Sequence, residues 1–229
     1  MPDAASGERP DAPADHPKTA DEATGDHYFT ARPASPGERR TITVWLAERE
    51  LTVETAGGVF SSYRVDHGTR ALLGVAPPPP ASGDLLDLGC GWGPIALSLA
   101  LASPVATVWA VDVNERALDL VRRNAERLGL GNLRAVTPDQ VPDDVSFAAV
   151  WSNPPIRVGK EALHAMLGSW LRRLAPGASA HLVVQRNLGA DSLQHWLADE
   201  LGGAARVTRA DTIKGFRVLR VDASGEPLR

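Results

Sequence analysis

Cysteine is nearly missing from this chain of 229 residues, and the lone Cys90 excludes an internal disulfide and any cysteine-rich metal site. No apolar run is long enough to span a bilayer, and the N-terminus is polar rather than signal-like; both predict a soluble, cytoplasmic chain with no membrane contact. Positive charge is scarce as well. Residues 1–26 hold seven acids against Arg9 and Lys18, a net charge of −5 out of a total of −4, which leaves the remainder at +1. That near-neutral balance lacks the strong basic footprint of many nucleic-acid binders, although a small local patch fits within it. No internal repeat is present.

At 43 % hydrophobic residues the chain can bury one sizeable core, enough for one α/β domain with additions. Residues 1–26, rich in Pro, Ala, Asp and Gly and without periodicity, predict a disordered acidic tail. An N-terminal extension is expected over 27–80, with order beginning at His27–Phe29 (HYF). Within it 41–46 (TITVWL) and 50–55 (ELTVET) alternate around a short turn at 47–49, a hairpin signal; 66–73 predicts a short helix, and four prolines at 77–80 a stiff connector. From 81 to 222 strands and helices alternate. Strands are expected at 85–88, 105–111, 133–136, 147–151 and 181–184, helices at 95–102, 115–128, 160–174 and 192–201, and a final antiparallel pair at 205–210 and 216–221. Residues 223–229 are left as a tail. The pattern predicts a doubly wound α/β fold: a mostly parallel seven-stranded sheet, an N-terminal β-hairpin extension, and ligands at the strands' carboxyl ends.

The strongest local signal is LLDLGCGWGP at 85–94. An apolar strand ends on Asp87 and glycines follow at 89, 91 and 93, the grammar of a strand, a tight turn and a helix start. The spacing fails the Gly-x-Gly-x-x-Gly pattern of nicotinamide binders. An acid ahead of the glycines suits a cationic ligand, such as the ammonium of S-adenosylmethionine. Asp112 closes the strand VATVWAV and can accept hydrogen bonds from ribose hydroxyls; Val113 follows as an apolar contact for an adenine face. Asp139, in TPDQVP, is either a partner for the adenine amino group or a turn aspartate beside Pro138.

NPPI at 153–156 carries the candidate chemistry. Pro154 and Pro155 fix φ and stiffen the loop, so the Asn153 side-chain oxygen and the Pro154 carbonyl can both accept hydrogen bonds from an exocyclic –NH₂. Holding both N–H groups aims the nitrogen lone pair, and positioning is then most of the catalysis.

With DLGCGWG, VDVN and NPP in this order, the chain resembles class I S-adenosylmethionine-dependent methyltransferases, NPP pointing to the amino-methylating branch. GVFS at 58–61, DHGT at 66–69, NPPIRVGKE at 153–161 and KGFRVLR at 214–220 resemble the small-domain enzymes related to ribosomal small-subunit (16S rRNA) guanine-N2 methyltransferases, over 27–221. The resemblance implies a Rossmann-like methyltransferase fold and S-adenosylmethionine as cofactor, bound by Asp87, Gly89, Cys90, Gly91, Asp112, Val113, Asp139 and Asn153. It implies catalysis by Asn153, Pro154 and Pro155 on an RNA base, foremost guanine N2 of ribosomal RNA, with the RNA or the small ribosomal subunit as partner. Phe60, Ile156, Arg157 and Lys160 are the candidate substrate contacts. Where the guanine-N2 enzymes carry an aromatic residue after NPP, Ile156 stands here. The larger enzymes also carry a related N-terminal domain, so recognition is expected to fall on the hairpin and loops or on a dimer partner, the chain being a monomer or homodimer.

Other residues read more weakly. Phe60 and Ser61 are expected to cover the pocket, Thr69 to lie near the cofactor carboxylate, and Trp92 to line the cofactor site. Cys90 lacks an activating base and is not a nucleophile; His164 and His181 lack metal-ligand spacing and read as structural. Two alternatives stay open: N-methylation of a small molecule or protein amide, and a non-catalytic cofactor-fold module.

Overall fold

Turn chemistry and burial explain the elements in chain order. The computed structural model describes residues 38–226; the expected acidic tail, the start of order at His27 and residues 227–229 lie outside them. Strands β1 (Arg39–Leu46) and β2 (Arg49–Ala56) pair antiparallel with Leu46 opposite Arg49, so the turn is only Ala47-Glu48, both at positive φ (48° and 59°). Helix α1 (His67–Val75) starts on Asp66, whose carboxylate accepts the N–H groups of Gly68 and Thr69. The main sheet is built from β3 (Asp84–Leu88), β4 (Thr107–Val111), β5 (Leu133–Val136), β6 (Phe147–Ser152), β7 (Leu174–Gln185), β8 (Ala205–Ile213) and β9 (Phe216–Ala223). Between the strands run α2 (Pro94–Ala102), α3 (Glu115–Leu128), α4 (Lys160–Leu171) and α5 (Ala190–Leu201).

The seven strands order as β5-β4-β3-β6-β7-β9-β8, with only the β9 pairings antiparallel. The chain winds outward from β3 in one direction and resumes at β6 in the other. Ligand crevices open at such a reversal point, and here Asp87 on β3 pairs with Trp151 on β6, two residues before Asn153. Helices α1 to α3 pack on one face through Leu72, Ile95, Leu99, Leu118 and Val121. Helices α4 and α5 cover the other through Leu163, Leu167, Leu193 and Leu197.

Helix α2 (PIALSLALA) is apolar on every side because it is covered on both. Leu99 faces the sheet, while Leu97 joins Trp92 and Leu120 in a third cluster under the hairpin residues Val44, Leu46, Leu51 and Val53. A lone two-stranded hairpin is marginal in water. This one is tied down by Asn124 of α3, fully buried, which accepts from the Glu54 N–H (2.7 Å) and donates to the Glu54 carbonyl (3.0 Å).

Several boundaries differ from expectation. The fourth helix stops at Leu171 rather than 174 because Leu174 pairs with Phe147 and opens β7, which reaches back well before the expected 181. Strand β4 begins at Thr107, since Val105 is 82 % exposed on the preceding turn.

His181 on β7 is buried edge-to-face against Trp151, its Nδ1 without a partner; burial, and secondarily the Arg220 guanidinium, push its pKa from 6.5 down to about 4. The unfolded chain takes up this proton near pH 6.5 and the folded chain only near 4, so stability is full above that window and falls as pH drops through it. At about 1.4 kcal/mol per pH unit the loss reaches up to about 3 kcal/mol. Urea unfolding at pH 7 and at pH ~4.5 should show this loss in the parent and a smaller one in His181→Leu; equal losses would place the acid sensitivity elsewhere.

Candidate active site

The glycine turn after β3 is compact because its backbone cannot be anything else. At Gly93, φ is 95° and an added Cβ would meet Val121 Cγ2 at 3.0 Å, so the close seating of α2 on α3 needs glycine there. The turn is pinned to the next strand by Gly89 and Cys90, whose N–H groups both donate to the Val111 carbonyl (2.8 and 3.1 Å). Beside it opens a cavity of about 290 Å³, lined among others by Phe60, Gly89, Gly91, Asp112, Val113, Asn153, Pro154 and Pro155. A smaller hollow of about 20 Å³ continues around the turn between Ser61, Asp66, Thr69, Cys90, Trp92 and Asn153.

The two candidate acids are held differently. Asp87 is wholly buried beneath the turn: Oδ2 accepts the Ala96 N–H at the start of α2 (2.9 Å), and Oδ1 has no hydrogen-bond partner among the described residues. Burial raises its pKa from 3.8 to about 8, against the pull of the Ala96 N–H and with a smaller contribution from Asp112. A buried carboxyl oxygen left without a donor suits an incoming ammonium. Asp112 sits in the cavity wall, its pKa also raised by burial; Oδ2 accepts from Gly91 N–H and Oδ1 from Asn114 N–H, both at 2.9 Å. Each oxygen keeps a lone pair for a hydroxyl. Val113 is 46 % exposed although apolar, and it lines the cavity with Pro138, two flat apolar surfaces suited to a ring.

Asn153 follows β6 directly and borders both hollows. Its Nδ2 donates to Asp66 Oδ2 (3.0 Å) and to Thr69 Oγ1 (3.1 Å). A carboxylate only accepts, so the amide nitrogen must lie on that side, and Oδ1 is left with no hydrogen-bond partner among the described residues. At Gly68 an added Cβ would stand 2.9 Å from Asp66 Oδ2 and 3.3 Å from Asn153 Nδ2; glycine is what lets these groups converge. The DHGT sequence is thus a clamp on the Asn153 amide. Thr69, expected near a cofactor carboxylate, is one jaw of it.

The remaining candidates are dispersed. The Pro154 carbonyl lines the mouth and already accepts the Ile156 N–H (2.9 Å), with one lone pair left. Ile156 and Val158 are both half-buried against the core on the α4 side, and of the two only Val158 lines the cavity. Arg157 and Lys160 are exposed at the rim. Asp139 is exposed in a 3₁₀ turn, with Pro138 rather than the acid in the lining. Cys90 is buried and its thiol pKa is raised well above the usual range, which fits a packing role. Trp92 borders the small hollow, and its indole N–H ties the turn to the Ser61 carbonyl (3.1 Å). The sequence reading missed Ala162, Met166 and Trp170 of α4, which form the cavity's far wall; nothing in their helical spacing marks them out from core.

Comparison with known proteins gives a consistent picture. Residues 50–220 match the methyltransferase small domain family. The chain is 36 % identical over 198 residues to the uncharacterized protein YbxB of Bacillus subtilis, covering 85 % of this chain and 97 % of that one. It is 32 % identical over 183 residues to ribosomal RNA small subunit methyltransferase C of Aeromonas hydrophila, covering 76 % of this chain and 51 % of that one. Among solved structures, the T. thermophilus 16S rRNA N2 G1207 methyltransferase in complex with AdoMet and guanosine superposes with a TM-score of 0.71 at 24 % identity, over 82 % of this chain and 51 % of that one. The chain therefore spans about half the length of the ribosomal RNA relatives it matches and nearly all of YbxB.

Proposed function

The chain belongs to the methyltransferase small domain family, and on that premise we propose that it methylates an exocyclic amine of an RNA base, foremost guanine N2 of ribosomal RNA. The observation that carries this reading is the Asn153 amide, turned by Asp66 and Thr69 so that an unbonded oxygen borders the cavity. The names of the relatives support the RNA acceptor. A ribosomal RNA substrate places the reaction in the cytoplasm.

In this reading S-adenosylmethionine supplies the methyl on a sulfonium, whose loss as a neutral thioether spares the acceptor nitrogen any need for a strong base. Asp87 Oδ1 takes the cofactor's ammonium, Asp112 its ribose hydroxyls, and Val113 with Pro138 its adenine. Asn153 Oδ1 and the free lone pair of the Pro154 carbonyl accept the two amine hydrogens, so the nitrogen lone pair has one direction left. One of those hydrogens leaves as a proton to water after the new N–C bond forms. Phe60, in the cavity lining beside Asn153, supplies the π-face that Ile156 lacks, and the base enters flipped out of its stack.

One observation favours a second reading, N-methylation of a small molecule or protein amide: the residue after Asn-Pro-Pro is aliphatic and outside the cavity lining, so the loop itself offers no aromatic stacking surface. Transfer of labelled methyl from S-adenosylmethionine into total RNA of cells lacking this protein separates the two. Label in N2-methylguanosine is expected. Cofactor binding with no labelled nucleoside overturns the RNA reading in favour of the second.

A further inference from the structure

Many cations among the described residues are taken up within the fold. Arg39 pairs with Asp119, Arg127 with Glu54, Arg172 with Glu200, Arg220 with Asp222, and Arg209 and Arg217 with Asp191; Arg122 and Arg173 donate to backbone carbonyls. Others are not, and the exposed ones include Arg49, Arg64, Arg70 and Arg206 as well as four that lie near Asn153. Arg157, Lys160, Arg186 and Lys214 have no ion pair or side-chain hydrogen bond among the described residues.

These four are far apart in sequence and neighbours in the fold. Arg157 and Lys160 follow β6, Arg186 follows β7, and Lys214 forms the β8–β9 turn. Because Gln185 pairs with Phe216, that turn lies at the carboxyl end of β7, and the Arg186 N–H donates to the Gly215 carbonyl at 2.8 Å. Three adjacent loops thus raise a basic rim beside Asn153. Of the acids at this end, Asp66 is engaged with α1 and Asn153, and Asp191 with Arg217 and Arg209; Asp139, Glu161 and Asp211 stay exposed on the β5, α4 and β8 sides.

The opposite lip is aromatic. The loop that carries Phe60 into the cavity also displays Tyr63, 59 % exposed, with the Arg40 guanidinium 4.2 Å from its ring centre. A ring held in place yet open on one face is a stacking surface, and cations spaced around a pocket are phosphate contacts; single-stranded RNA is recognised by that combination.

We propose that Arg157, Lys160, Arg186 and Lys214 form a phosphate-binding rim for the RNA strand carrying the methylated nucleotide, and that Tyr63, backed by Arg40, stacks on a neighbouring base. The proposal rests on the RNA reading above and extends it to surface that does not touch the reacting atoms. It also reconciles a near-neutral domain with an anionic partner, since four of the unpaired cations sit together on the loops beside Asn153.

The test is equilibrium binding of unmodified 16S ribosomal RNA transcript to the full chain over a range of KCl concentrations, with S-adenosylmethionine affinity measured in parallel. Removing both charges in the Arg186→Ala/Lys214→Ala variant should weaken binding about tenfold near 150 mM salt and flatten the slope of log K against log salt by about 1.4 to 1.8. Tyr63→Ala should weaken it about tenfold with the slope unchanged. Cofactor affinity should match the parent in both. Parental affinity and slope in the double variant overturn the rim while leaving the RNA reading standing. A parent that neither binds nor methylates RNA overturns both.

Discussion

Asn153→Ala is expected to lower methyl transfer on the order of 10³-fold while leaving S-adenosylmethionine affinity within about threefold of the parent. The asymmetry follows from what each atom does. In the proposed reading the cofactor's contacts are shared among Asp87, the glycine turn, Asp112 and Val113, whereas the oxygen that takes the amine comes from Asn153. The same geometry makes Asp66 and Thr69 positioning residues. Asp66→Ala should cost about 100-fold in rate, with about 1 kcal/mol of stability from the lost cap of α1. Asp66→Asn keeps an oxygen where Gly68 N–H and Asn153 Nδ2 both donate, so it should recover most of the rate. A merely structural role would show loss of stability without that split. Near-parental turnover in Asn153→Ala, measured as initial rates at saturating cofactor, sinks the mechanism.

Asp87→Asn should weaken S-adenosylmethionine binding by about 100-fold or more, yet leave the cofactor-free protein at least as stable as the parent at neutral pH, because Asn carries no proton-uptake cost on folding. With its pKa raised to about 8, Asp87 is protonated in the free protein, and a neutral amide of the same shape replaces a neutral acid. The sign with pH is definite. The free folded protein holds this proton up to about pH 8 and the unfolded chain loses it near 3.8, so stability without cofactor declines as pH rises through that window. An ammonium beside Oδ1 favours the carboxylate and releases the proton. Affinity should therefore climb with pH, by up to about one log unit per pH unit, until the ligand's own amino group begins to deprotonate near pH ~7.7. Titration calorimetry at pH ~6, ~6.8 and ~7.5 reads this directly, and Asp87→Asn should flatten the curve. A flat parental curve would mean that the ammonium lies elsewhere.

What the sequence makes legible here is what covalent neighbours decide. The glycine turn, Asp112 with Val113, and Asn153 before two prolines are each spelled within a few residues, and the structure brings them to one cavity. Periodicity was enough for α3, whose expected bounds match Glu115–Leu128. What stayed hidden depends on partners far along the chain. That Asp66 faces Asn153 is settled by how α1 seats on the sheet, 87 residues away in sequence, and no local pattern encodes it. Ile156 reads as a pocket residue, yet in the 3₁₀ turn at Ile156–Val158 it is Val158 that lines the cavity. Asn124 breaks the apolar stripe of α3 for a reason visible only once β2 lies against it.

The clamp on Asn153 also sets a timetable. Asp66 leaves the ribosome 87 residues ahead of the amide it will hold, on the order of ten seconds at ordinary synthesis rates. During that interval α1 has its cap but not its catalytic partner, and the glycine turn has no β6 beside it. Because β7, β8 and β9 must still be made after Asn153 to complete the sheet against which α1 packs, catalytic competence is among the last properties this polypeptide acquires. An interrupted chain can thus carry every letter of the glycine motif and of Asn-Pro-Pro and remain inert.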